Sequence, residues 1–147
     1  MTGNEEKYLV YAICDELYGS PLLSVREVLE YQKPKFMPNM AKHFSGVVNV
    51  RGAIVGVVDL RTKFGSPADI NRKTSMLLCD TETGPIAAVV DHVDCVVAFG
   101  DADLERKPPV QSKLDQSYLL GVAKMKEKLV TIIDLNKSLS EENLKVA

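Results

Sequence analysis

The chain has 147 residues, a length that usually corresponds to one domain with a core large enough to fold unaided. Hydrophobic residues make up 46% of the sequence and charged residues 26%, which is typical of a soluble globular protein and argues against a disordered or membrane-embedded one. With 20 acidic and 18 basic side chains the formal net charge is −2, so nucleic acid is not an expected partner, because phosphate binding requires a concentrated positive surface.

The N-terminus and the cysteines together predict a cytoplasmic protein. Two glutamates precede the first apolar segment, so residues 1–10 lack the pattern of a signal peptide. Apolar runs stay far below the roughly 18 residues that suggest a membrane span, and direct membrane insertion is not expected. Cys14, Cys79 and Cys95 form an odd set without CxxC spacing, which favours buried free thiols over a redox or metal role.

Along the chain, most apolar segments are short, rich in Val, Ile, Leu and Tyr, and separated by Gly, Pro, Asp or Asn. Short β-branched segments with regular turn residues predict an all-β protein, a barrel or a sandwich. The predicted strands cover residues 7–14, 46–50, 53–59, 74–79, 85–91, 94–99, 118–125 and 128–134.

Little of the chain is predicted to be helical. Asn39 is a candidate cap for a short turn that ends at Phe44, and residues 139–147 have the pattern of a short C-terminal helix. Loops are expected at 65–73 and 100–117, where turn residues and prolines cluster. No linker separates independent domains, so residues 1–147 are expected to form a single domain.

The sequence also contains an internal repeat. Residues 46–64 (GVVNVRGAIVGVVDLRTKF) align without gaps with residues 121–139 (GVAKMKEKLVTIIDLNKSL), and a weaker echo pairs CDELYG (14–19) with CDTETG (79–84). Each repeated unit is too small to build a sufficient core alone. Two similar β units that pack on each other are therefore predicted.

The repeat places an aspartate at the end of one strand in each copy, Asp59 and Asp134. Paired aspartates suggest a small hydrolase, in which two carboxylates share a proton. That chemistry needs a small hydroxyl residue and a glycine after each aspartate, whereas Leu-Arg and Leu-Asn follow here. The sequence instead favours two helix caps, and on that interpretation an asparagine at either position should cost little stability.

Other catalytic features are weak. His43 and His92 have no second ligand at metal spacing and no neighbouring nucleophile, and no glycine loop has the spacing that cradles phosphate. The protein is therefore expected not to be an enzyme and to need neither a metal nor another cofactor.

Two segments are candidate interaction sites. Arg51 and Gly52 separate two apolar strands, which predicts a hairpin turn in which Gly52 adopts a positive φ. An arginine on such a tip is a candidate interaction anchor, although an ordinary exposed turn residue fits the same pattern. The segment Val25-Arg26-Glu27-Val28 fits either a strand that binds a partner or a plain amphipathic strand whose charged side chains lie in water.

The segment GVVNVRGAIVGVVDLRTKFG (46–65) resembles the signature of CheW-like domains, in which a glycine-led strand, Asn-x-Arg-Gly and a strand ending in Asp-Leu-Arg follow each other. The opening YLVYAI strand, the Val-x-Glu-Val step, VVDHV and YLLGVAKMKEKLVTIIDL agree with the family in order, so the resemblance covers about residues 7–140. Two features depart from the family. Gly56 stands where a proline is usual, and Ser20-Pro21 follow the tyrosine-glycine turn in place of an apolar residue.

The resemblance implies two intertwined five-stranded SH3-like β-barrels and an adaptor that couples chemoreceptors (methyl-accepting chemotaxis proteins) to the histidine kinase CheA. In the family, the cytoplasmic hairpin tip of the receptor lies in an apolar groove between the barrels, and the kinase binds through its CheW-like regulatory domain. A scaffold of another chemosensory array, for motility or pili, remains an alternative. In isolation a monomer is expected. By position, the resemblance assigns receptor or kinase binding to Val25, Glu27, Val28, Gly46, Asn49, Arg51, Gly52, Val89, Val90 and Val93.

Overall fold

The chain folds into β-strands linked by short helical turns. The computed structural model describes residues 6–39, 44–63, 70–82, 84–105 and 118–139. Within these ranges the strands are β1 (Glu6–Ile13), β2 (Glu16–Pro21), β3 (Glu27–Glu30), β4 (Phe44–Val50), β5 (Ala53–Asp59), β6 (Ser75–Thr81), β7 (Gly84–Val90), β8 (His92–Phe99), β9 (Leu104–Glu105), β10 (Leu119–Met125) and β11 (Lys128–Ile133). The helices are α1 (Leu60–Lys63) and α2 (Leu135–Ser138), with 3-10 turns at Leu22–Ser24 and Asp101–Asp103. The predicted all-β class is confirmed.

The strands form two sheets that are built alike. The first sheet has the order β8-β1-β2-β11-β10-β9, and the second has the order β3-β6-β7-β5-β4. In each sheet, one strand of the weaker echo pairs in parallel with one strand of the main repeat, β2 with β11 and β7 with β5. The repeat in the sequence is therefore a repeat of structure. The second sheet has five strands, and the first contains a sixth, the two-residue β9.

In each sheet, the two edge strands are brought together by the chain that follows one of them, as closure of a sheet into a barrel requires. Lys35, downstream of β3, exchanges backbone hydrogen bonds with Val47 of β4, with N–O distances of 2.8 and 2.9 Å. Because β3 and β4 are opposite edges, the second sheet must curl to allow this pairing. In the first sheet the chain passes from edge strand β8 through one 3-10 turn into β9, the other edge. The SH3-like geometry of each barrel stays a prediction.

Equivalent glycines lie at these closing edges. A Cβ on Gly46 of β4 would collide with the carbonyl oxygen of Lys35, and a Cβ on Gly121 of β10 would lie 2.7 Å from the carbonyl oxygen of Glu105. Glycine at the start of each repeat is thus required because two backbones approach closely. The resemblance assigns Gly46 to binding, but this close backbone contact by itself explains why the position is a glycine.

The hydrophobic core consists of three clusters, because alternate residues of a strand point to opposite faces. The cluster of the second sheet contains Val48, Val50, Val55, Val57, Met76, Leu78, Ala87 and Val89. The cluster of the first sheet contains Tyr8, Val10, Phe99, Ala123, Val130 and Ile132. The central cluster joins both sheets and contains Leu9, Tyr11, Ile13, Val58, Leu60, Leu77, Cys79, Ile86, Ala88, Val90, Ile133, Leu135 and Leu139.

The turn between β1 and β2 differs from the expectation. Cys14 and Asp15 form it, with positive φ values of 56° and 65°, as a two-residue type I′ hairpin turn requires. Gly19 lies inside β2 opposite Val10, so the expected tyrosine-glycine turn is wrong. The departure at Ser20 has a physical reason: its buried hydroxyl donates to the carbonyl oxygen of Ile133 at 3.0 Å and lies 2.8 Å from the hydroxyl of Tyr11.

Several expectations concern segments that the structure does not describe. Of the predicted helix at 139–147, only Leu139 lies within the described ranges. Of the predicted turn from Asn39 to Phe44, only these two end residues do. Of the predicted loop at 100–117, the described part contains the second 3-10 turn and β9, which pairs with β10. That part is therefore not an irregular loop.

We expect the two halves of the chain to depend on each other, as a single domain would. A fragment of residues 1–73 lacks β6–β11, and so removes most of the central cluster and leaves the Leu9, Tyr11 and Ile13 side chains largely exposed. Each such side chain would lose about 1.5–3 kcal/mol of burial free energy. The fragment should give a poorly dispersed amide NMR spectrum, whereas the whole chain should unfold cooperatively. A dispersed, stable spectrum from the fragment would rule out the single-domain prediction.

Thiol labelling tests the placement of the three cysteines. Cys79 is buried in the central cluster and burial raises its pKa to about 12, whereas Cys14 and Cys95 are only partly buried. The expectation of three buried thiols therefore holds for Cys79 alone. At pH 8 iodoacetamide should modify Cys14 in the native protein while Cys79 stays unmodified, since the thiolate is the nucleophile. Mass spectrometry identifies the modified positions. Modification of Cys79 at the rate of Cys14 would contradict the described core.

Candidate functional site

The β4–β5 hairpin ends in a two-residue turn at Arg51 and Gly52, as predicted. Their φ values are 48° and 90°, both in the region that a type I′ turn uses. The side chain of Asn49 closes the turn, because its Oδ1 accepts a hydrogen bond from the Gly52 amide at 2.8 Å. Lys126 occupies the equivalent position of the β10–β11 hairpin with a φ of 59°. The repeat thus supplies two similar hairpin tips, each with a basic side chain.

Arg51 pairs with Glu27 of β3. Its Nη1 donates to Oε2 of Glu27 at 2.8 Å, and its Nη2 donates to the other carboxylate oxygen. This two-pronged geometry gives directional as well as electrostatic complementarity. The hydrogen bond with Arg51 lowers the pKa of the Glu27 carboxyl, and the same bond raises the pKa of the guanidinium. Both groups are therefore charged at neutral pH.

The Arg51–Glu27 pair connects the hairpin tip to the opposite edge of the second sheet. The side chain of Arg51 is 65% exposed and that of Glu27 is 31% exposed. Exposed ion pairs of this kind contribute only about 0–1 kcal/mol to folding. The pair therefore places two charges at the surface in a defined geometry with little effect on stability.

The residues around Glu27 combine charge with exposed apolar surface. Val28 is 45% exposed, and Val25, which precedes β3, packs partly buried against the central cluster. Arg26 donates from its backbone N to the carbonyl oxygen of Leu78 at 2.7 Å and from Nε to Oδ2 of Asp80 at 3.0 Å. The Val-Arg-Glu-Val step thus lies along an edge of the second sheet, held by two ion pairs.

The three assigned valines of the VVDHV segment, which the resemblance places in the wall of the groove, differ in their placement. Val93 of β8 packs partly buried against the central cluster, as Val25 does from the other sheet. Val89 and Val90 are 1% and 0% exposed, and their side chains belong to the second sheet's own cluster and to the central cluster. In this conformation a partner cannot touch those two side chains. The expected groove lining at Val89 and Val90 therefore does not occur, because both positions face cores.

The ten assigned residues thus separate into two groups. Glu27, Asn49, Arg51 and Gly52 come together at one end of the second sheet, next to the exposed Val28. The remaining residues lie at the edge of the central cluster or inside the protein; these are Val25, Val93, Gly46, Val89 and Val90.

A wide cleft of about 1040 Å³ on the first sheet contains none of the assigned residues. Its walls carry the acidic Asp15 and Glu16, the basic Lys124 and Lys128, and apolar side chains such as Leu129. These four charged residues come from two separate hairpins, so no local sequence pattern would have revealed the cleft.

The two repeated aspartates have different surroundings. Asp134 caps α2, since its Oδ1 accepts a hydrogen bond from the Lys137 amide at 3.1 Å, which confirms the prediction. Asp59 accepts from the Arg61 amide and Nε at 3.0 Å, and from Nη2 at 2.9 Å. Its ion pair with Arg61 was not predicted. The two carboxylates stand at strand ends of different sheets and have separate partners, which does not support a proton-sharing pair.

The described ranges contain no group of three His, Cys, Asp or Glu side chains that could hold a metal ion. They also contain no helix that is long and apolar enough to cross a membrane.

Two similar β-sheets around a shared core, with charged hairpin tips, define a duplicated β module. A family model for the CheW-like domain matches residues 7–143, and the chain belongs to this family.

Individual relatives agree with this assignment. Chemotaxis protein CheW from Klebsiella aerogenes is 27% identical over 140 residues, which cover 95% of this chain and 84% of that protein. Chemotaxis protein CheW from Bacillus subtilis is also 27% identical, over 94% of this chain and 89% of its own. Among solved structures, the scaffolding protein TtCheW from Thermoanaerobacter tengcongensis matches with a TM-score of 0.82 at 26% identity, over 95% of both chains.

Substitution of the two aspartates should have unequal effects. Replacing Asp134 by Ala should lower the free energy of unfolding by about 0.5–2 kcal/mol, and replacing it by Asn should change it little, because Asn also caps helices. Asp59→Asn should cost about 3 kcal/mol, because it removes a charged partner of the buried Arg61. The expectation that Asn is harmless at both positions is therefore revised. Urea unfolding measures both effects, and equal losses would contradict the described ion pair.

Proposed function

We propose that the protein is a non-enzymatic adaptor that couples chemoreceptors to the histidine kinase CheA in the cytoplasm of a chemotactic bacterium. Membership of the CheW-like family supports this role, as does the similarity to CheW chemotaxis proteins and to a scaffolding protein over nearly the whole chain. The observation that carries the proposal at residue level is the surface ion pair between Arg51 and Glu27.

The receptor hairpin tip is helical, and helix-in-groove recognition needs apolar anchors together with a few polar groups that fix the register. On the second sheet, Val28 offers exposed apolar surface, and Val25 extends it toward the central cluster. Arg51 and Glu27 supply the polar groups in a preset geometry. Val93 continues the surface from the first sheet. We assign receptor contact to these five residues.

The remaining assigned positions support this surface. Asn49 and Gly52 hold the turn that presents Arg51, and Gly46 allows the sheet to close beneath it. Val89 and Val90 hold β7 between two clusters. For the kinase, we propose that its CheW-like regulatory domain binds another surface of this module, so that one adaptor engages both partners.

Arg51→Glu should weaken binding to a soluble receptor hairpin fragment by at least about 2 kcal/mol, or roughly thirtyfold. The substitution places a carboxylate against Glu27 and removes the donors that a partner would use. Stability should change by less than about 1 kcal/mol, because the ion pair is exposed. Isothermal titration calorimetry measures the affinity, and thermal unfolding measures the stability.

Lys126→Glu is the matched control for this experiment. Lys126 occupies the equivalent turn with a similar positive φ, so the same charge change is made on the same backbone conformation. This variant should bind receptor within about twofold of the unsubstituted chain. Equal losses at both positions would indicate unspecific electrostatics, and unchanged affinity in Arg51→Glu would reject the site. Capture of a receptor and kinase from a motility or pilus array would assign the adaptor to that array.

A hydrolase would make the opposite prediction. Peptide or ester turnover that disappears in both Asp59→Asn and Asp134→Asn would overturn the adaptor proposal. The hydrogen bonds of the two carboxylates give no reason to expect such turnover.

A further inference from the structure

Arg61 is the one charged side chain that the described residues bury completely. It lies in α1, directly after β5, and its side chain is 1% exposed. The guanidinium holds both carboxylate oxygens of Asp59, and its Nη1 also donates to Oδ1 of Asp91 at 3.2 Å. Burying a charge is costly even when it is paired, so this arrangement calls for a reason other than stability.

Asp91 lies at the point where the chain passes between the sheets. It follows β7 of the second sheet and precedes β8 of the first. Its Oδ2 accepts a hydrogen bond from the Cys14 amide at 2.6 Å, and its own amide donates to the carbonyl oxygen of Ala12 at 2.9 Å. Asp91 is therefore bound both to the β1–β2 hairpin of the first sheet and to Arg61, which follows β5 of the second sheet.

The repeat shows that a unit does not need this arginine in order to fold. The equivalent of Arg61 is Asn136, which is exposed in α2, although Asp134 caps that helix as Asp59 does in α1. The weaker echo matches Asp91 with Arg26, whose ion pair with Asp80 is exposed. The Arg61–Asp91 pair is thus a buried ionic contact, whereas the equivalent positions Asn136 and Arg26 do not form one. A need common to both units therefore does not explain the buried contact on the Arg61 side of the molecule.

That side carries the proposed receptor surface. Val93 lies two residues beyond Asp91 in β8, where it pairs with Tyr11. Glu27 begins β3, the edge strand that pairs with β6, which in turn pairs with β7, and Val25 lies two residues before it. The position of β8 relative to this edge therefore depends on how the β7–β8 connection is held.

We propose that Arg61 is a positioning residue: its contacts with Asp59 and Asp91 hold the β7–β8 connection so that Val93 of the first sheet and Val25 and Glu27 of the second form one receptor-binding surface. This inference rests on the proposed function. Arg61 itself is buried and does not touch the receptor.

Arg61→Met tests the proposal, because methionine fills similar space without charge. Asn136→Met makes the same residue at the equivalent, exposed position. Val55→Ala destabilises the second sheet's own cluster and leaves Arg61, Asp59 and Asp91 in place, and so controls for a general loss of stability. Two quantities are measured in each variant by NMR and calorimetry: the hydrogen-exchange rate of the Cys14 amide, and the affinity for the receptor hairpin fragment.

In Arg61→Met we expect the Cys14 amide to exchange at least about tenfold faster and the receptor to bind roughly tenfold more weakly, a size typical of indirect coupling. Both controls should stay within about twofold. If Arg61→Met does not fold, Asp91→Asn replaces it with the same expectation, since the amide cannot form the ion pair. A folded variant that binds receptor normally would overturn the proposal, and so would a loss of affinity that Val55→Ala reproduces.

The outcomes separate the two proposals. If the unsubstituted chain binds no receptor fragment, the proposed function fails, and the positioning role fails with it. If the unsubstituted chain binds and only the Arg61 and Asp91 variants lose affinity, both stand. If Arg51→Glu loses affinity while Arg61→Met and Asp91→Asn do not, the receptor site stands and the positioning role is rejected.

Discussion

Neither sheet can bury all of its apolar residues alone, and the rest of the structure depends on this constraint. Every long strand has two faces, and in β1, β5, β6 and β7 both faces are apolar. One face fills the sheet's own cluster, and the other would meet water if the second sheet were absent. The central cluster solves this problem for both sheets at once. Burial of its side chains is the dominant favourable term that holds the two units together.

Polar contacts add orientation to this nondirectional attraction. Apolar surfaces tolerate small rotations, whereas ion pairs and hydrogen bonds fix angles and register. Examples are the contacts of Arg61 with Asp59 and Asp91, of Ser20 with Ile133 within the first sheet, and of Arg51 with Glu27 at the surface of the second sheet. The Arg61 contacts join the second sheet to the connection that leads into the first, and the Arg51–Glu27 pair holds two exposed charges in a defined geometry. On the proposed function, the contacts that orient the fold and those that would meet a partner belong to one arrangement.

Much of the fold could be predicted, because its signals are local. Short β-branched runs, the Arg51–Gly52 turn and the gapless repeat all lie within neighbouring residues and correspond to observed elements. Predictions failed where a local pattern had two meanings. Gly19 with Ser20-Pro21 has the composition of a turn, yet it continues β2, because Gly19 leaves room for the Ile132 and Val130 side chains of the neighbouring strand.

The site was predicted less completely than the fold, since its geometry depends on contacts between distant segments. Alternation along β7 could not reveal that both Val89 and Val90 face a core, because a strand between two clusters has no solvent side. The contact of Arg61 with Asp91 spans 30 positions and leaves no local pattern. Gly56 could be explained only afterwards: a Cβ there would lie 2.6 Å from the ring of Phe44.

The pairing of β2 with β11 has a consequence for biosynthesis. The second sheet is built from β3–β7, a continuous stretch of chain, whereas the first must combine β1 and β2 with strands made much later. The Ser20–Ile133 hydrogen bond spans 113 positions. As a ribosome adds about 5–20 residues per second, β1 and β2 must wait several seconds for β11 to emerge. Until then the newly made chain exposes an incomplete sheet, whose apolar strands and unpaired edges are prone to aggregation.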